Sequence, residues 1–145
     1  MKARRTPPVP YEMVDHTADI GVVLSGESLS DLFAAAGAVL AELIYDPAEV
    51  AERETREVAL EAASSEDLLV KWLNELLYVR EVGDFLWKTV EVETGDGTRL
   101  TATLRGEVFE EGKHVPRGGL KAATYHQLRI SRERDAWSAR VIFDV

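Results

Sequence analysis

Apolar residues recur along this chain in two rhythms, and the changes of rhythm mark out its elements. Tyr11 to Val14 and Ile20 to Leu24 are short apolar runs separated by the polar stretch Asp15-His16-Thr17-Ala18-Asp19 and followed by Ser25-Gly26, which predicts strand, polar corner, strand. From Ser28 the period lengthens. Leu29, Leu32, Phe33, Ala36, Leu40 and Leu43 fall at helical spacing, with Ser28 as N-cap and Asp46-Pro47 as the stop. Gly37 lies inside that helix at a cost of about 1 kcal/mol relative to alanine, which points to a close packing contact.

Alternation returns at Thr55 to Ala62, where Val58 and Leu60 sit between Glu57, Ala59 and Glu61. Ser64 or Ser65 then opens a second helix with Leu68, Leu69, Trp72, Leu73, Leu76 and Leu77 on its apolar stripe. Lys71, Asn74 and Glu75 lie opposite, and Gly83 is the expected stop. The remainder reads as β: strands around Val90 and Leu100–Leu104 joined by the turn Thr94-Gly95-Asp96-Gly97-Thr98, a loop from Phe109 to Gly119, a strand from Leu120 to about Ser131, and a last strand through Trp137, Ala139, Val141 and Phe143. The sum is an α+β fold, two helices packed on mainly antiparallel sheet of seven strands. Residues 1–10, with prolines at 7, 8 and 10, are expected to form a flexible tail on a single domain covering 11–145.

Composition narrows the chemistry. The 145 residues contain no cysteine, so disulfides, thiolate metal sites and cysteine nucleophiles are excluded. No apolar run approaches the roughly 20 residues that span a bilayer, and the prolines after Arg5 do not resemble a secretory signal, so a cytoplasmic protein with no membrane contact is expected. A net charge of -9 argues against gripping nucleic acid unaided. The charge is uneven, however. Residues 41–82 hold eleven acids and four bases, whereas six bases fall between Lys113 and Arg134. Separate faces for a protein partner and RNA are one reading, solvated surface the other.

Two constellations are candidates for a site. Asp144 and the α-carboxylate of Val145 stand at the end of a strand whose alternation holds it in the sheet. If that end lies beside the polar corner, Asp19, Asp144 and the terminal carboxylate converge as oxygen ligands for a hard cation. The plainer alternative makes Asp19 a turn former and Asp144 a solvated residue. The segment from Lys113 to His126 is the second. Alternation there puts Lys121, Ala123 and Tyr125 on one face and Ala122, Thr124, His126 and Leu128 on the other. Lys121 and Tyr125 offer a cation and a ring. His126 reads as a buried, hydrogen-bonded histidine, and Lys113, His114 and Arg117 as an exposed basic loop. His16, near Asp15 and Asp19, is either an acid–base group or a brace for the corner. Trp72, Trp87 and Trp137 read as core. No nucleophile elbow, P-loop or dinucleotide fingerprint occurs, so no complete catalytic apparatus is visible.

Asp15-His16-Thr17-Ala18-Asp19-Ile20-Gly21, Leu120-Lys121-Ala122-Ala123-Thr124-Tyr125-His126 and a chain closing on Phe143-Asp144-Val145 together resemble the archease family, from Tyr11 onward. The resemblance implies a strand-helix-strand-strand module and an accessory protein, not an enzyme. Its expected partner is an RtcB-type RNA ligase of tRNA splicing, whose guanylylation and multiple turnover it promotes, with RNA reached only through the ligase complex. The alternative partner is a tRNA cytosine methyltransferase, aided in a chaperone-like way. The implied metal ligands are Asp19, Asp144 and Val145, for calcium foremost, with magnesium or manganese as alternatives. Lys121, Asp15, His16, Tyr125 and His126 are the implied supporting residues. A third expectation, from another class, is a small metal-dependent hydrolase using His16 or His126.

Overall fold

The computed structural model describes residues 11–14 and 19–145, with the side chains of 12–14 outside the description. Strands β1 (Tyr11–Val14) and β2 (Asp19–Gly26) precede helix α1 (Leu29–Ile44). A 3-10 turn at Pro47–Glu49 leads to β3 (Glu54–Glu61), helix α2 (Ser65–Glu81), β4 (Phe85–Glu93), β5 (Arg99–Val108), β6 (Ala122–Glu133) and β7 (Ala136–Asp144). The expected α+β fold is present, with its seven strands divided between a four-stranded sheet ordered β1-β2-β7-β6 and a three-stranded sheet ordered β3-β5-β4, all neighbours antiparallel. The strand-helix-strand-strand run is β3-α2-β4-β5.

The helices lie between the sheets. Helix α1 packs on β2 and β7 of the first sheet and on β4 of the second; α2 packs on β6 of the first and on β3 and β4 of the second. Contact on both sides explains the composition of α1, whose buried residues include Leu29, Leu32, Phe33, Ala36, Val39, Leu40 and Ile44. Its ends follow local chemistry: Ser28 Oγ accepts from the Asp31 amide at 3.0 Å, and the helix stops at Ile44, three residues before Pro47. Ser64 caps α2 in the same way, accepting from Asp67 N at 3.1 Å.

Gly37 sits where α1 meets both neighbours. A Cβ there would lie 3.3 Å from two Val90 methyls and 3.4 Å from Leu76 Cδ1, and the Gly37 carbonyl accepts from Trp87 Nε1 at 2.9 Å. Trp72 Nε1 likewise donates to Phe33 O at 2.9 Å. Tyr45 closes the layer, its hydroxyl donating to Trp87 O at 2.6 Å and accepting from Trp87 N at 2.7 Å. Trp72 and Trp87 are core residues as expected; Trp137 is only half-buried, with the Arg132 guanidinium over its ring.

Two further expectations need correction. Helix α2 does end before Gly83, but the left-handed residue is Asp84, with φ 54°, while Gly83 is needed because a Cβ would come 2.8 Å from Val79 O. Asn74, assigned from spacing to the solvent side of α2, instead faces the edge of β6. Its Oδ1 accepts from Ala123 N at 2.8 Å and its Nδ2 donates to Ala123 O at 3.4 Å. Glu66 accepts from Ile130 N at 3.2 Å farther along that edge. Side chains of α2 therefore satisfy backbone groups of a strand that has no neighbouring strand on that side among the described residues.

Candidate functional site

β7 enters the four-stranded sheet between β2 and β6, so its last residues have a strand on either side. Its core face carries Ala139, Val141 and Phe143, all buried, opposite Leu24, Val22 and Ile20 of β2. That apolar match fixes the register, since a slip by one residue would turn the buried row outward. The same register places Asp19 directly opposite Asp144, and Ala122 opposite Asp144 on the other side. Directly opposed residues share a face and hold their Cβ atoms about 5 Å apart. Two carboxylates from opposite ends of the sequence are thereby set side by side, away from the helices. Asp19 is half-buried and Asp144 exposed.

The neighbouring backbone is ordered around this row. Lys121 N donates to Asp144 O at 2.8 Å, tying the start of β6 to the end of β7. Lys121 itself is exposed, and Val145, one residue beyond the ladder, is 45% exposed. Thus Asp19, Asp144 and the Lys121 backbone come together, with Val145 the next residue after Asp144. Asp15 and His16 lie outside the described residues. Among the described residues no three histidine, cysteine or acidic side chains gather as a metal cluster. The expected set is of another kind, two acidic side chains and a backbone carboxylate. Those donors, all oxygen and all anionic, fit a hard divalent cation.

His126 sits differently from expectation. Between Thr124 and Arg129 the pairing of β6 with β7 shifts: Thr124 opposes Ile142, but Arg129 opposes Arg140, so β6 carries three extra residues. Gln127, with φ 56°, turns the chain there. The alternation from Lys121 to Leu128 is broken by this bulge, and His126 is exposed instead of buried. Its amide donates to Thr124 Oγ1 at 3.2 Å. Tyr125 is 58% exposed, and desolvation together with a hydrogen bond to Asp67 raises its phenol above the usual range. With Tyr78, Asp67, Lys71 and Asn74 it lines an open groove between α2 and β6.

The other correction concerns the basic loop. His114 is 4% exposed and belongs to a buried cluster around Glu107 at the end of β5. Glu107 Oε2 accepts from Ala51 N at 2.9 Å and lies 2.9 Å from His114 Nε2 and from Lys113 Nζ, with Arg53 at 3.8 Å from Oε1. His114 Nδ1 accepts from Glu110 N at 2.9 Å, which puts the ring hydrogen on Nε2, facing Glu107. Burial pushes the Glu107 carboxyl up, but the Ala51 amide, Lys113 and His114 outweigh it and hold it at about 2. Lys113 and Arg117 keep the expected exposure, but both are tethered, Lys113 to Glu107 and Arg117 by donating through its guanidinium to Glu42 O at 2.7 Å.

Fold and site together define an α+β protein with two helices between two sheets, whose first and last sheet-central strands meet at an acidic row. Comparison with known proteins gives that class its family. The sequence matches the archease protein family (MTH1598/TM1083) over residues 11–145. It is 35% identical over 139 residues to a protein archease of Methanosarcina acetivorans, covering 93% of this chain and 95% of the relative. The solution structure of protein 1598 of Methanobacterium thermoautotrophicum is similar, with a TM-score of 0.78 and 32% identity over 93% of this chain and 98% of that one. A crystal structure from Thermotoga maritima, described as an archease and possible chaperone, shares the fold at a TM-score of 0.63 and 24% identity, over the full length of both chains. The chain belongs to the archease family.

Proposed function

We propose that this chain is an accessory protein that activates an RtcB-type RNA ligase in tRNA splicing, promoting its guanylylation and multiple turnover. The observation that carries the reading is the direct opposition of Asp19 and Asp144, a like-charge pair on neighbouring strands. Like charges directly opposite destabilise a sheet, so the row gains when a cation neutralises it. Asp19, Asp144 and the Val145 carboxylate would hold that cation, calcium foremost and magnesium or manganese as alternatives. When bound, it supplies positive charge at an exposed edge of the sheet. The chain's part is to fix the two carboxylates on a rigid ladder and present them to the partner, with Lys121 beside them. Asp15, His16, Tyr125 and His126 are proposed as supporting residues by family likeness, Tyr125 from the groove beside α2.

Substoichiometric protein added to ligase, GTP and RNA ends should raise turnover, and Asp19→Ala or Asp144→Ala should remove the gain. An unchanged ligase rate with the intact protein, or full stimulation by both variants, would refute the reading. The second reading is a chaperone-like modulator of a tRNA cytosine methyltransferase. It is favoured by the position of Asp144 inside the ladder, where a cation would serve the sheet's own stability. That reading requires variants that lose cation to lose thermal stability in step, with partner binding following the fraction folded. Either way the chain acts on another catalyst.

A further inference from the structure

On the face that carries Asp19 and Asp144, two residues back along β7, Ile142 is fully buried between Gly21 and Thr124. Two residues further, Arg140 is exposed, and its direct partner on β6 is Arg129, also exposed. The three-residue bulge makes this pairing; without it the register of Thr124 with Ile142 would continue and bring His126 opposite Arg140. Directly opposed arginines repel, their Cβ atoms being about 5 Å apart. Among the described residues neither guanidinium has a carboxylate partner. By contrast, Arg105 and Arg99 on the other sheet pair with Glu91 at 3.0 Å and Glu61 at 3.5 Å. In the next row Ser131 and Ser138 oppose one another with hydroxyls 3.3 Å apart. A protein of net charge -9 thus keeps two arginines side by side with hydroxyls behind them.

We propose that Arg129 and Arg140 form a phosphate-binding site for a single-stranded nucleic acid, which this chain contacts directly and not only through a partner. The guanidinium fork matches the two non-bridging oxygens of a phosphodiester, and the regularly repeated phosphates of one strand offer an acceptor to each arginine. Serine hydroxyls complete such sites as neutral donors to phosphate oxygens. A nucleic-acid strand carries a negative charge at every nucleotide, whereas a protein offers two acids to this pair only where its sequence places them together. The site lies four residues from Asp144, or about 13 Å along the strand. It stands on the arginine pairing alone and does not depend on the acidic row.

The test is fluorescence anisotropy of a labelled oligo-uridylate with the full chain at about 20 mM salt, where phosphate contacts are strongest. Arg129→Gln/Arg140→Gln should weaken binding about tenfold and reduce the slope of log affinity against log salt by about 1.4, as expected for two single-strand phosphate contacts. Arg99→Gln/Arg105→Gln has the same net charge and should leave affinity and slope unchanged. Melting temperature serves as the folding control. It should hold or rise in the first variant, because a repulsion is removed. Equal affinity in wild type and the first variant, or equal losses in both variants, would overturn the proposal. Tighter, arginine-dependent binding of a polyglutamate peptide would replace it with an acidic protein partner.

Discussion

Two carboxylate sites on opposite sheets of this protein solve the same electrostatic problem in opposite ways. Glu107 is buried and meets its counter-charges within the fold: an amide, an imidazole N–H and an ammonium reach its two oxygens. Asp144 is exposed, and the ladder gives it Asp19 and Ala122 as its neighbours, a second acid and a methyl. The first arrangement is closed and locks a loop to the end of a strand. The second sets two acids side by side at the sheet surface, where the proposed cation would lie. Burial alone would have ranked Glu107 as the functional group. The amide, imidazole and ammonium that reach Glu107 from within the fold mark it as a structural acid.

The largest effect should come from breaking the closed site. Glu107→Ala leaves Lys113, His114 and the Ala51 amide without their acceptor and should cost about 3–5 kcal/mol in urea unfolding. Because the folded carboxyl is held at about 2 against an ordinary 4.5, its stabilisation is complete above 4.5 and is lost as pH falls from 4.5 towards 2. The wild-type protein should therefore lose stability through that window, and the variant should lose less. The opposite sign and a smaller size are expected at the open site. With cation removed by chelator, Asp144→Asn should unfold at equal or higher urea, a gain of about 0.2–1 kcal/mol from relieving the opposed charges. A loss of several kcal/mol there would mean that the row is closed internally after all.

Most of the fold was legible because its signals are local. Ser28 and Ser64 sit at helix starts with an acid three residues on, Pro47 stops α1, and Gly37 announced the close approach of Val90 and Leu76. The meeting of Asp19 with Asp144 was legible only as one of two alternatives, since the apolar alternation of β7 fixes which face is buried but not which residue of β2 lies opposite. What escaped was non-local. Nothing in the sequence joins Ala51, Glu107 and His114, whose convergence follows from how two loops fold over the end of β5. Asn74 looked like a solvent-side residue because helical periodicity does not reveal that a strand edge lies beside that face. The bulge around Gln127 carries no glycine or proline to mark it, and it reversed the expected burial of His126 while creating the Arg129–Arg140 pair. Resemblance to a family supplied the expected ligands and partners; strand pairing supplied the opposition of Asp19 and Asp144.

The central claim is that the acidic row at the junction of β2 and β7 is a cation site, and calcium titration by calorimetry tests it most directly. The account predicts saturable binding of one calcium per chain, with a melting temperature that rises with calcium as binding to the folded state requires, and loss of both in Asp19→Asn and Asp144→Asn. Heats no larger than those of dilution in the wild-type protein, or identical isotherms for wild type and both variants, would contradict it.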